Sequence, residues 1–148
     1  MTYSMFPTRF TRVLTRLLMI LLAGLLFFVP SILNWYAEFR FLTRIGWWAI
    51  CITFYFCAAV TAPALFWVDR LLGNIIKEQV FTVQNVQLLR GIRWCCGIIS
   101  LLCIVPAFIY RPLFFMVIIM GFLCFILTVV VQVMKAAVSI REENDLTI

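Results

Sequence analysis

Four stretches of this chain run without a charged residue for about the length that crosses a lipid bilayer, and that limits the fold more than any other feature. They are residues 17–36, 45–68, 94–110 and 112–134. A hydrocarbon core of roughly 30 Å takes about 20 apolar residues at about 1.5 Å of helix rise each. The third stretch is the shortest and is bracketed by Arg93 and Arg111. With 66% hydrophobic and 12% charged residues, against about 45–50% and 25% in an ordinary soluble domain, the chain holds more apolar surface than a soluble fold of this size can hide.

The aromatic residues support these boundaries independently. Trp35, Tyr36, Trp47, Trp48, Trp67, Trp94 and Tyr110 sit at the ends of the stretches, where an amphipathic ring lies between headgroup and acyl chain. A cleaved signal peptide is the competing reading of the first stretch. Val29-Pro30-Ser31 is a poor small-x-small cleavage site, and the apolar run continues past it, so a retained helix is expected.

Basic residues set the expected orientation, because Lys and Arg near helix ends resist translocation. Arg9, Arg12 and Arg16 precede the first stretch; Arg70, Lys77, Arg90 and Arg93 lie between the second and third; Lys135 and Arg141 follow the fourth. Arg40, Arg44 and Arg111 fall on the other side. The bias places both termini and the 69–93 connection in the cytoplasm. The net charge of +6 is then an orientation signal and an attraction to anionic headgroups. No basic face interleaved with exposed aromatics is left outside the membrane, so direct nucleic-acid binding is not expected.

Chemistry-bearing groups are sparse. Cys51, Cys57, Cys95, Cys96, Cys103 and Cys124 all fall within apolar stretches, where thiols behave as small hydrophobes. Cys96, Ser100, Cys103 and Ala107 follow i, i+4, i+7, i+11, and similar lines run through Cys51, Tyr55, Ala58 and Ala62 and through Gly121, Cys124, Thr128 and Gln132. Helices in lipid associate through close approach of small residues and occasional interhelical hydrogen bonds, so these lines read as contact surfaces of a four-helix bundle. A line left facing lipid would pair two copies into a homo-oligomer. A thiol metal or redox centre is the sharper alternative, and the chain has no histidine to support one. No cofactor is expected.

An intramembrane charge normally marks a substrate or proton path, and none of the four stretches contains one. This argues against an enzyme. A small permease, efflux component or accessory transporter subunit is the alternative, and a continuous cavity lined by Tyr55, Thr128 and Gln132 would favour it. Pro30, Pro63 and Pro106 interrupt three stretches, as broken helices around a substrate do. A simple kink covered by a neighbouring helix is the plainer account.

The 69–93 connection is the one internal segment that mixes charged, amide and apolar residues. Thr82 fits the N-cap of a helix starting near Val83, with Asn85 at N3 and Phe81 at N′ facing Val86 at N4. Leu71, Leu72, Ile75 and Ile76 extend the second helix downward, so the connection becomes two helical extensions joined by a turn around residues 77–80. At the other end of the chain the fourth helix runs toward Arg141 and meets Glu142, Glu143 and Asp145. Carboxylates at a helix C-terminus face the unfavourable end of the macrodipole. Two readings of the tail 141–148 stand side by side: it docks on the hairpin near Arg90, Arg93 and the free amides of the third helix, with Leu146 and Ile148 as apolar anchors, or it is simply solvated.

Phe81-Thr82-x-x-Asn85-Val86-x-x-Leu89-Arg90 before a membrane helix, together with the terminal Glu-Glu-Asn-Asp-Leu-Thr-Ile, resembles the YoaS-like family of bacterial membrane proteins, a domain of unknown function. The likeness spans most of the chain. Members often carry glycine shortly before the Phe-Thr pair, where this chain has Glu78-Gln79-Val80. The resemblance implies four membrane helices with both ends inside a bacterial plasma membrane and brings no established activity. Neighbourhood of such genes to a small helix-turn-helix regulator implies, by association, a soluble DNA-binding partner.

The expectation is an all-α integral membrane four-helix bundle, one domain over residues 1–148, with helices two and three extended into a cytoplasmic hairpin. Its function would be regulatory and non-enzymatic, with Lys77, Phe81, Asn85, Arg90, Glu142, Glu143, Asp145 and Leu146 touching the partner.

Overall fold

The structure is a computed structural model describing residues 5–40 and 43–146, without the side chains of residues 5, 6 and 40. It contains four helices: α1 (Met5–Arg40), α2 (Arg44–Ile76), α3 (Val83–Ile109) and α4 (Leu113–Leu146). Each is long and apolar enough to cross a membrane. Each also outruns its charge-free stretch, since Arg, Lys, Glu and Gln are good helix formers and carry the helix on once the apolar run ends. At about 1.5 Å per residue, the 33 residues of α2 and 34 of α4 reach roughly 50 Å. That exceeds the ~30 Å hydrocarbon core and also the ~40–45 Å bilayer with its headgroups.

The excess accumulates at one end. The start of α1, the end of α2, the start of α3 and the end of α4 come together there and carry most of the Lys and Arg, so it is termed the basic end. The helices run on through Pro30, Pro63 and Pro106 without interruption, which is the kink reading and not the broken-helix one.

Packing follows chain order: α1 on α2, α2 on α3, α3 on α4. Among the described residues α4 makes no close backbone contact with α1, so the four helices stand as a row with α2 and α3 in the middle. The helix with most buried residues is α3, including Val86, Leu89, Ile92, Cys95, Ile99, Cys103 and Ala107. Small residues make the seams, as expected in lipid. A β-carbon on Gly97 would lie 3.5 Å from Cys124 Sγ, and one on Gly121 would lie 3.6 Å from Ser100 Oγ. Ser100 donates across the α3–α4 seam to the carbonyl of Val117 at 3.1 Å. Between α2 and α3, the Sγ atoms of Cys57 and Cys103 are 3.9 Å apart.

The lines of small residues are used only in part. Cys51 and Ala58 are buried, whereas Ala62 and Gln132 are exposed, because helices that pack in a row cover only part of each other's surface. Gly91 has a role that its spacing did not suggest. The Trp67 ring of α2 lies so close that a β-carbon there would sit 2.8 Å from Cζ3, so the glycine forms a notch for the indole. At the end opposite the basic one, the hydroxyls of Tyr36 and Tyr110 are 2.7 Å apart with their rings edge to face.

Candidate functional site at the basic end

The turn between α2 and α3 is built from backbone rules first. Lys77 is the C-cap of α2, and Glu78 takes the left-handed conformation at φ 63°. Its N–H donates to the carbonyl of Ile75, and that of Gln79 donates to Asn74, both at 3.0 Å. This pair of bonds is the Schellman arrangement, whose left-handed residue is usually glycine. Glu78 thus occupies a position of the type that glycine usually fills.

Thr82 then caps α3, its hydroxyl accepting from the N–H of Asn85 at 3.3 Å. The sequence places cap and N3 residue correctly, but not what the Asn85 side chain does. Asn85 is fully buried. Its Oδ1 accepts from Asn74 Nδ2 at 2.8 Å, and its Nδ2 donates to the carbonyls of Gln79 and Val80, each at 2.7 Å. One amide therefore ties the end of α2, the turn and the start of α3 together. Asn85 is accordingly a positioning residue for the tip and has no surface to offer a partner.

Around this lock the tip is open. Phe81 is 46% exposed, and Lys77 and Arg90 are exposed. Arg141 of α4 reaches back to donate to the Phe81 carbonyl at 3.3 Å, which fastens the end of α4 to the hairpin. Beside that bond lies a cleft of about 380 Å³ lined by Phe81, Thr82, Val138, Arg141, Glu142 and Asp145 among others. A second cleft, of about 350 Å³, lies lower on the α3–α4 seam and includes Arg90, Lys135, Ser139 and Glu142. Glu142, Glu143 and Asp145 are exposed on the last turns of α4.

The expected apolar anchoring of the tail is corrected at Leu146. That residue is 86% exposed, because α4 stays helical through Leu146 and does not fold back onto the turn there. Ile148 lies outside the described residues. The structure therefore gathers Phe81, Arg90, Glu142 and Asp145 around the two clefts and leaves Lys77, Glu143 and Leu146 outside their walls.

Two residues escaped the sequence reading. Asp69 sits at the α1–α2 seam, where Arg12 Nε and Arg16 Nε approach its Oδ1 at 3.2 and 3.4 Å. Arg12 crosses over Gly73 to get there, its Nη2 lying 3.4 Å from where a β-carbon would be. The signal was a lone acid at the end of an apolar helix, facing a basic flank on the preceding helix. Asn74 was missed because an amide with a partner eleven residues away leaves no periodic trace.

The transporter expectation required Tyr55, Thr128 and Gln132 to share a cavity. Tyr55 turns to α1, donating to the Leu26 carbonyl at 3.2 Å. Thr128 bonds back to Cys124 of its own helix and Gln132 is exposed, both on α4, whose neighbour is α3. The three do not face one another.

Comparison with known proteins agrees with the membrane character. The chain is 27% identical over 152 residues to the uncharacterized membrane protein YoaS of Bacillus subtilis (strain 168), an overlap of 86% of this chain and 88% of that protein. No solved structure matches. Four helices of membrane-spanning length and a membrane-protein relative make this a multi-pass membrane protein. The model of the protein family of unknown function DUF2975 matches residues 10–148, and the chain belongs to that family.

Proposed function

We propose that this protein is a non-enzymatic membrane interaction protein whose basic end faces the cytoplasm and docks a soluble regulator, of the small DNA-binding class that the family resemblance implies. The observation carrying this reading is the tip. A buried amide holds the turn rigid, while Phe81 stays exposed beside a cleft edged by Glu142 and Asp145. An exposed aromatic next to charged groups on a preorganised scaffold is the composition of an interaction hot spot, and rigidity lowers the ordering cost of binding. Helices that outrun the bilayer lift this surface into water. Recruitment would hold the regulator at the membrane, and a change in helix packing would release it.

The test is photocrosslinking in cells from positions 81 and 146, with identification of what is captured. A DNA-binding protein recovered from position 81 and absent when Glu142 or Asp145 is altered supports the reading. Recovery of lipid and self-contacts alone overturns it. Labelling of a probe at position 81 by a membrane-impermeant reagent added outside intact cells would overturn the orientation.

A further inference from the structure

The α3–α4 seam carries a second surface, below the tip, that the docking reading does not use. On α3, Arg90, Trp94, Gly97 and Leu101 recur at i, i+4, i+7 and i+11, so they lie along one face. The upper cleft takes Arg90 from this face together with Lys135 and Ser139 of α4. The next cleft down, about 210 Å³, takes Trp94, Gly97 and Leu101 with Cys124 of α4. Gly97 contributes no side chain, and Cys124 Sγ lies opposite it, so the floor of this trough is low and apolar.

The depth of the cations is informative. Lys135 is the first charged residue after the apolar run of α4, and Arg90 lies one turn before the apolar run of α3 opens at Trp94. Both therefore stand at headgroup level, with Trp94 exposed beside them as an interfacial ring. Among the described residues neither Arg90 nor Lys135 forms an ion pair. Glu142, the carboxylate of this cleft, is seven residues beyond Lys135, about 10 Å further from the membrane at helical rise.

We infer that the α3–α4 seam is a binding site for an anionic glycerophospholipid, with the headgroup phosphate held between Arg90 and Lys135 and one acyl chain lying in the trough over Gly97. A guanidinium presents paired donors that match two phosphate oxygens, an ammonium adds a compact charge, and Ser139 supplies a neutral donor. The low dielectric beside the acyl region strengthens all of these relative to water. Glu142 repels an anion placed higher and keeps the phosphate low. The inference is independent of which side of the membrane the basic end faces and of whether a regulator docks.

The test is native mass spectrometry of the full-length protein in detergent, titrated with phosphatidylglycerol, phosphatidylcholine or inorganic phosphate. Wild type should retain phosphatidylglycerol in preference to phosphatidylcholine, and the Arg90→Gln, Lys135→Gln double variant should bind it about tenfold more weakly, the loss of roughly one charge-assisted contact. Arg111→Gln, at the opposite end, should bind as wild type, and the charge-preserving pair Arg90→Lys, Lys135→Arg should keep most of the affinity. Equal retention of the two lipids, or an unchanged double variant, overturns the site. Displacement by millimolar inorganic phosphate overturns the lipid as occupant. Should the double variant not fold, wild type labelled with phosphatidylglycerol bearing an acyl-chain photoprobe decides: label concentrated on residues 94–101 and around Cys124 supports the site, and label spread evenly over the four helices overturns it.

Discussion

Replacing Asn85 with alanine should unlock the hairpin tip without disturbing the helices. The substitution removes three side-chain hydrogen bonds, one accepted from Asn74 and two donated to the carbonyls of Gln79 and Val80. A net contribution of about 1 kcal/mol each gives a loss of about 3 kcal/mol from the local opening free energy. The penalty does not climb far above this, because Gln79 is exposed and water can reach the turn once it loosens. At about 1.4 kcal/mol per factor of ten, 3 kcal/mol speeds exchange through local opening by roughly a hundredfold. Suitable reporters are the amides of Glu78, Gln79 and Val86, which are bonded to Ile75, Asn74 and Thr82. Hydrogen exchange read by mass spectrometry on the full chain in lipid nanodiscs measures them directly. Asn85→Asp is the sharper comparator. It keeps the shape and the bond from Asn74 but faces two carbonyl oxygens with an acceptor, so its effect should match or exceed that of alanine. Exchange within a few-fold of wild type in both variants would refute the claim that this amide holds the turn.

Three further outcomes follow from the same geometry. Glu78→Gly should slow exchange at the tip about twofold, since a left-handed non-glycine residue costs roughly 1–2 kcal/mol and the added chain entropy of glycine takes back about 0.5–1 kcal/mol; a β-branched Glu78→Val should act in the opposite direction. Gly91→Ala should destabilise the α2–α3 pair by about 1–3 kcal/mol through overpacking, because its β-carbon meets the Trp67 ring at 2.8 Å, and thermal unfolding in detergent should show Trp67→Leu recovering part of the loss. Asp69→Asn should loosen the start of α1, with a double-mutant cycle against Arg12→Gln returning a coupling of about 1 kcal/mol for this part-buried pair, one that shrinks as salt is raised.

What the sequence revealed and what it concealed divide along physical lines. Spans, terminal aromatics and the Thr82 cap are local properties, written within a turn or two, and all four helices appear where hydropathy places them. The start of α3 at Val83 with Asn85 at N3 follows from capping chemistry alone. The role of Asn85 was misread because polarity in a water-facing connection suggests exposure, whereas this amide lies inside the turn it closes. Asp69 was overlooked because its value depends on Arg12 and Arg16, more than fifty residues away in the chain. The notch at Gly91 likewise depends on where Trp67 of another helix points. Leu146 was misplaced because a helical continuation and a folded-back tail have the same composition.

The row arrangement determines how the basic end can be coupled to the membrane. A compact protein of 17.2 kDa would expose roughly 7,800 Å², whereas this chain exposes 10814 Å². The excess of roughly 3,000 Å² follows from helices whose close backbone contacts, among the described residues, are with their chain neighbours, and which leave their remaining faces to lipid. In such a row the middle of each seam is held by small residues and dispersion, which resist sliding weakly. Directional bonds do cross the seams along their length, Ser100 to Val117 and Tyr55 to Leu26, and others gather at the ends: Arg12 and Arg16 with Asp69, Asn74 with Asn85 and Arg141 with Phe81 at the basic end, and Tyr36 with Tyr110 at the other. The relative placement of the helices at the basic end therefore depends on these fastenings, and there the end of α4 meets the tip through the Arg141 bond to the Phe81 carbonyl. A lipid wedged in the α3–α4 seam and a partner seated on Phe81 would act on that same fastening from opposite sides, one from within the bilayer and one from water. On the proposed reading, that joint would be where packing in the membrane alters the surface shown at the tip.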